Sequence, residues 1–342
     1  MVAYVVRRLL IMPIIVLGVS VLIFGMLQFL SPYERVGLYV TDIPHKAGAI
    51  DELVEKYGLD DPIPVQYLRW MSRVVRGDLG YSQTGHRPVL KAILHFFPAS
   101  FELAVLSIVP IVGIGLWMGI LSAVHQDKLI DHISRVVSII GWSFPTFLFG
   151  IIVLMIFYAK LDWFPAGRLS QWAHQIVYSA EFTKYTGLMT IDSLLNGRID
   201  IFLDTLRHLV LPVITLSYLS WALILRVTRS SMLNELRADY VTTARAKGLR
   251  ERQVVNKHVR PNALIPVATI GGIIAIGLMS GVVVTETVFN YPGLGRFFVT
   301  AALELDIIAV LGFTLFYGVM LILGNLVVDV MYGYLDPRVR LE

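Results

Sequence analysis

No cysteine occurs in the 342 residues, which excludes a disulfide framework and a thiolate metal site and leaves the redox compartment unread. Charge is scarce as well. Only 16% of the residues are charged and 56% are apolar, whereas a soluble domain carries roughly a quarter charged residues. With a mean hydropathy of +0.69, the chain reads as a membrane protein. The phosphate-cradling pattern G-x-x-x-x-G-K-[ST] is also missing, so any nucleotide energy has to come from a partner. No nucleophile, carboxylate pair or metal cluster stands at catalytic spacing, which argues against an enzyme. His208 and His258 are lone histidines without partners at ligand spacing, and structural roles are expected for both, with no metal.

What is present is a series of long apolar runs. A hydrocarbon core of roughly 30 Å needs about 20 helical residues to cross it. Residues 9–30 meet that test, as do about 99–124, 134–160, 207–228, 263–289 and 307–331. The sequence therefore predicts an all-α membrane protein with six spans. The first run lacks a small-residue cleavage site and is read as a retained span, not a signal peptide. Pro13, Pro110, Pro145, Pro212 and Pro266 fall inside the runs and predict kinks, which membrane helices tolerate.

Lys and Arg set the orientation. Between Arg226 and Asn262 there are nine basic residues and three acidic ones; Arg7, Arg8, Lys128, Arg135, Arg338 and Arg340 fall on the same side. The opposite loops, 31–98, 161–206 and 290–306, carry no such excess. Both termini are thus expected in the cytoplasm, as those of a multi-pass membrane protein. The expected organisation is an N-terminal span (1–30), an external region (31–98) and a core of five further spans (99–342). That core holds a cytoplasmic loop, 229–262, and an external loop, 161–206. The piece Val65–Val75 predicts a helix with Val65, Leu68, Met71 and Val75 on one side. It could lie on the outer membrane surface or cap the protein.

The basic loop has its own pattern. Met232, Leu233, Leu236, Tyr240, Val241 and Ala244 recur at steps of three and four, which draws an apolar stripe along a helix. Gly248 stands where a C-cap needs positive φ, and a second helical turn, 251–259, is expected to stop at Pro261. With only Tyr240 as an aromatic, this segment is better suited to docking on a protein than to lying on lipid.

The stretch DYVTTARAKGLRERQVVNKHVRPNALIP, 239–266, resembles the EAA loop of ABC importer permeases. Gly248 matches the family glycine, Ala244 the second alanine and Pro261 the later proline, while Thr242 and Thr243 replace Glu and Ala. Similarity to the dipeptide/oligopeptide branch extends through GLDDPIPVQYLRWMSRVVRGDLGYS (58–82), GWSFPTFLFG (141–150), ETVFNYPGLGRF (286–297) and LDPRVR (335–340). Two departures are SPYERVGL after the first span, where the branch has P-G-D-P, and the longer stretch 169–204. The resemblance implies the type I ABC importer permease fold, with a large external region after the first helix. It implies that Asp239, Tyr240, Thr243, Ala244, Lys247, Gly248 and Pro261 couple to an ATPase. It further implies a second homologous permease, two ATPase subunits that bind ATP and Mg, an external substrate-binding protein and surrounding lipid, with no cofactor on this chain and no nucleic acid. Short peptides are the expected cargo, with nickel, glutathione or oligosaccharides as alternatives. An ion-coupled secondary transporter is the reading from a different class. Glu286, Pro292, Gly293 and Gly295 are candidates for an external gate, with a structural contact to its own loop, at Arg296, the favoured reading for Glu286. Glu102 and Asp329 are expected to be helix-end residues.

Overall fold

Helix boundaries in this chain follow its prolines and glycines, though not always where the apolar runs suggest. The computed structural model describes residues 2–39, 48–279 and 282–335. Its helices are α1 (Val2–Leu27), α2 (Ala49–Tyr57), α3 (Ile63–Val75), α4 (Val89–Val124), α5 (Leu129–Ser143), α6 (Thr146–Lys160), α7 (Gln171–Val177) and α8 (Met189–Leu195). They continue with α9 (Ile199–Leu236), α10 (Asp239–Ala246), α11 (Glu251–Ala263), α12 (Ile265–Met279), α13 (Val283–Val288), α14 (Leu294–Leu303) and α15 (Ile307–Leu335). A two-residue hairpin, β1 (Tyr81–Ser82) against β2 (Arg87–Pro88), precedes α4. Arg338 and Arg340 lie outside the described residues, as do the side chains of Arg8 and Asp329.

Four helices, α1, α4, α9 and α15, are long and apolar enough to cross a membrane, and the count rises to six if each of two bent pairs is one span. The 134–160 run, expected as one kinked span, is instead α5 and α6 meeting at 103°. Pro145 supplies the reason. It crowds the residue before it, and Phe144 is extended (φ −85°, ψ 127°), so the hydrogen-bond ladder ends there. The second pair, α11 and α12, bends by 49°. Pro261 does not stop α11 as expected. A π turn over Val254–Val259 widens the ladder just ahead of it, and helix continues through Ala263.

Two other boundaries shift. Pro98 sits inside α4, which starts at Val89, ten residues ahead of the apolar run, and Glu102 lies well inside a helix, not at its start. Similarly, α9 overshoots its apolar run at both ends, because burial against neighbours carries the helix into polar sequence. The central contact is α4 against α9. Gly115 and Gly119 face Ile224 and Thr228 so closely that an added Cβ would lie 2.6 Å from each of those side chains. Ala99, Leu103, Ile111, Leu209, Leu216 and Ile224 fill the core outward from this crossing. Asp131, fully buried, fixes α5 to α9 by accepting from Arg229 Nε (2.6 Å) and Nη2 (2.8 Å) and from Ser122 Oγ (2.6 Å).

On the other end, residues 31–39 and 48–88 fold over α1. Ser31 and Glu34 form a capping box that starts the turn Pro32–Arg35, which gives the unusual SPYERVGL exit a local cause. Buried Arg35 donates to Gln28 and Gln66, and Gln66 donates to the carbonyls of Leu59 and Asp61. Trp70 and Tyr67 pack on Phe24 of α1. The inward face of α3 is therefore Gln66, Trp70 and Val74, while Val65, Leu68 and Val75, members of the stripe expected on one side, are exposed. One large aromatic anchor and a fully bonded glutamine outweigh three aliphatic residues.

Candidate functional site

The basic segment consists of α10, a glycine turn and α11. Gly248 has φ +79°, its N–H donates to Arg245 O (2.9 Å) and Leu249 N–H donates to Ala244 O (3.4 Å), the paired bonds of a Schellman cap. Arg245 bridges the turn to Glu251 with bonds of 2.7 and 3.1 Å; both groups are exposed, so this pair adds about 0–1 kcal/mol. Tyr240 accepts from Asn262 Nδ2 (3.2 Å) and donates to Glu235, tying the start of α10 to both flanking helices. Burial, reinforced by the bond to Glu235, pushes its hydroxyl pKa up.

The apolar stripe faces inward. Val241 and Ala244 are buried with Met232, Val254, Val255 and Val259, and Ala123 at the inner end of α4 completes the cluster. Burying each such side chain contributes about 1.5–3 kcal/mol for a valine or methionine, which holds α10 against α11 and the ends of α4 and α9. Ala244 is therefore a contact within the chain. The face left open by α10 and its turn carries Asp239, Tyr240, Thr243, Lys247 and Gly248, with Pro261 exposed on α11.

At the opposite end the gate candidates come together around Glu286, which is fully buried. Its carboxylate accepts from Ser100 Oγ (2.5 Å), from the Arg296 N–H (2.8 Å) and from the Val282 N–H (3.3 Å), and Ser100 Oγ accepts in turn from Leu294 N–H (2.7 Å). Glu286 thus holds the NYPGLGRF turn, and its partner is the backbone of Arg296. Gly293 lies against that carboxylate with no room for a Cβ, and a Cβ on Gly295 would meet Val283 backbone at 3.0 Å. Pro292 borders an external cavity.

Sequence reading missed the groups that pin the external loop. Glu102 accepts from Arg168 Nη2 (2.8 Å) and from Thr190 N and Oγ1 (both 2.7 Å), while Arg168 also donates to Gly187 O (2.8 Å). Asp204 accepts from Ser170 N–H (2.8 Å) and Oγ (2.5 Å), and His208 Nδ1 lies 2.8 Å from the Asp204 carbonyl. His208 is thus a buried structural histidine. Among the described residues no group of three His, Cys, Asp or Glu side chains could hold a metal. These carboxylates were visible as charges next to apolar runs; their partners lie about 66 to 88 residues away, at Arg168 and Thr190 for Glu102, and nothing local marks them.

The family model described as "Binding-protein-dependent transport system inner membrane component" matches residues 111–341, and the corresponding N-terminal model matches residues 1–104. The chain is 39% identical over 327 residues to the probable D,D-dipeptide transport system permease protein DdpB of Escherichia coli (strain K12), covering 95% of this chain and 94% of that one. It is 38% identical to the di/tripeptide transport system permease protein DppB of Pseudomonas aeruginosa (strain UCBPP-PA14), covering 99% of both chains. With the oligopeptide transport system permease protein AppB of Bacillus subtilis (strain 168) identity is 36%, over 99% of this chain and all of that one. Matched along nearly its whole length by both models and by these permeases, this chain belongs to the binding-protein-dependent transport system inner membrane component family.

Proposed function

We propose that this chain is one of two permease subunits in an ATP-driven importer of short peptides, crossing the membrane six times with both termini in the cytoplasm. The observation that carries this reading is the cytoplasmic segment. A chain without a phosphate loop carries a helix, α10, that shares a buried cluster with α11 and the ends of α4 and α9, with a polar face left free. That is what a separate ATPase needs in order to push. When two ATPase subunits close on ATP, each displaces the helix docked in it, and the displacement passes to the spans because packed cores move as rigid bodies. Asp239, Tyr240, Thr243 and Lys247 form the docking face, Gly248 and Pro261 set its angle, and Ala244 anchors it from behind. On the outside, an external binding protein delivers cargo over the turn held by Glu286, whose Pro292, Gly293 and Gly295 shape the gate.

The peptide cargo is taken from the relatives' names, which cover dipeptides, di/tripeptides and oligopeptides. Two features weigh against an ion-coupled mechanism. Glu102 and Glu286, two buried carboxylates, each accept three hydrogen bonds, and a carboxylate so engaged is a poor carrier of a proton or sodium ion. The test is uptake of a labelled dipeptide into vesicles holding the chain with its partner subunits and binding protein. Uptake with ATP and no ion gradient is expected. Uptake that follows a proton gradient and ignores ATP overturns the proposal.

A further inference from the structure

The long external loop, 161–206, builds more than a connector. Between α6 and α9 it folds α7 and α8 around a small core of its own, Ala173, Val177, Phe182, Met189 and Ile201. The loop is held down by Glu102, and Gly167 N–H donates to Phe289 O (2.8 Å), which joins it to the gate turn. Between this element, the outer end of α4 and the turn at 290–296 lies a cavity of about 810 Å³. That volume falls within the roughly 300–1,000 Å³ of small-molecule sites.

Its lining is one-sided in charge. Arg168, Lys184, Arg296, His95 and His174 border it, and no Asp or Glu does. Arg168 is neutralised by Glu102 behind it, although its Nε is buried without a hydrogen-bond partner among the described residues. Lys184 Nζ sits 3.4 Å from the centre of the Tyr178 ring, and the His174 ring stacks on the same tyrosine at 4.4 Å. No carboxylate pairs with Lys184 or with the Arg296 guanidinium among the described residues, which leaves two permanent positive charges uncompensated. Leu94, Phe96, Leu169 and Met189 supply an apolar wall beside them. A cavity with uncompensated cations on one side and aliphatic and aromatic groups on the other fits an anion attached to an apolar body.

We propose that this cavity binds the carboxylate end of the cargo, through Lys184 and Arg296, with the terminal side chain against Leu94, Phe96 and Met189. The inference rests on the peptide reading above and sharpens it. A divalent cation is repelled by this lining, and a neutral oligosaccharide gains nothing from it. Because Pro292 and Arg296 belong to the turn knotted by Glu286, a ligand here touches the gate candidates directly.

The test uses the full chain with its partner subunits in nanodiscs, without the binding protein, so that this protein's own affinity is read by calorimetry. The probes are alanyl-phenylalanine, its C-terminal amide, sodium acetate and nickel chloride. Saturable binding of the free acid is expected, with the amide about ten-fold weaker or more, since a charge-assisted hydrogen bond is lost. The double variant Lys184→Gln, Arg296→Gln should weaken the acid by about ten-fold or more while leaving the amide unchanged, and Lys184→Arg alone should retain binding. Equal affinity for acid and amide, an unaffected double variant, acetate matching the dipeptide, or nickel binding more tightly would each overturn the proposal. Dipeptide uptake by the complete assembly is measured in parallel. Intact uptake with no binding sinks only the cavity, whereas an assembly that moves no peptide sinks the reading beneath it.

Discussion

Gly248 and Gly293 both stand at turns, yet each resists substitution for a different reason. Gly248 has φ +79° and open space where a Cβ would go, so a valine there meets only backbone strain, about 1–2 kcal/mol for a non-glycine residue in the left-handed region. Gly248→Val should lower the thermal midpoint of the purified protein, and Gly248→Asn should recover most of the loss. Gly293 has an ordinary extended φ of −98°, and its difficulty is steric. Gly293→Ala drives a methyl into the Glu286 carboxylate and forces it off its donors, leaving buried N–H groups unmet at about 1–3 kcal/mol each. Hydrogen exchange should show the amides of Leu294 and Arg296 losing protection while those of α10 do not. The first glycine was legible because a helix C-cap has a local signature. The second was legible as a turn residue, but its cause, a carboxylate seven residues upstream folded back onto it, was not.

Among elements, the α4–α9 crossing carries most of the packing. Gly115 and Gly119 form a small-xxx-small pair that lets two backbones approach, and each is opposed by a side chain that leaves no room for a Cβ. Gly119→Leu should cost about 1–3 kcal/mol or more by overpacking, read as lost yield of folded protein in detergent, whereas Gly113→Ala, with nothing within 4 Å of its Cβ position, should be neutral. That pair stood in the sequence as GLWMG and signals helix contact by itself, though not which partner helix it meets. Asp131 makes the same point through charge. Replacing it by Ala strands Arg229 against α5, and breaking such a buried pair costs about 3–5 kcal/mol. Asp131→Ala should therefore fall in thermal midpoint well below Arg135→Ala, whose guanidinium only approaches Asp131 at 3.9 Å.

For the whole molecule the decisive property is sidedness. The absence of cysteine makes it directly measurable, since any introduced thiol is the only one. Lys184→Cys should react with a membrane-impermeant maleimide in intact cells, and Lys247→Cys only in inside-out vesicles; both are on surface segments, so neither should disturb folding. Labelling of Lys247→Cys from outside would invert the topology and remove the docking face from the cytoplasm.

The sequence by itself determined that this chain enters a membrane, roughly where its apolar runs lie, that its basic residues gather in one segment and that a glycine caps the helix in it. Those properties are local, set by hydropathy over about 20 residues and by the φ preference of one position. Only the tertiary structure decided that Ala244 packs inward, that α3 buries Trp70 in place of its aliphatic stripe, that the 134–160 run breaks at Phe144 and that Glu102 and Glu286 are bonded hubs. In each case the outcome depends on a partner distant in the chain or on competition between whole faces for burial, and no spacing within one segment records either.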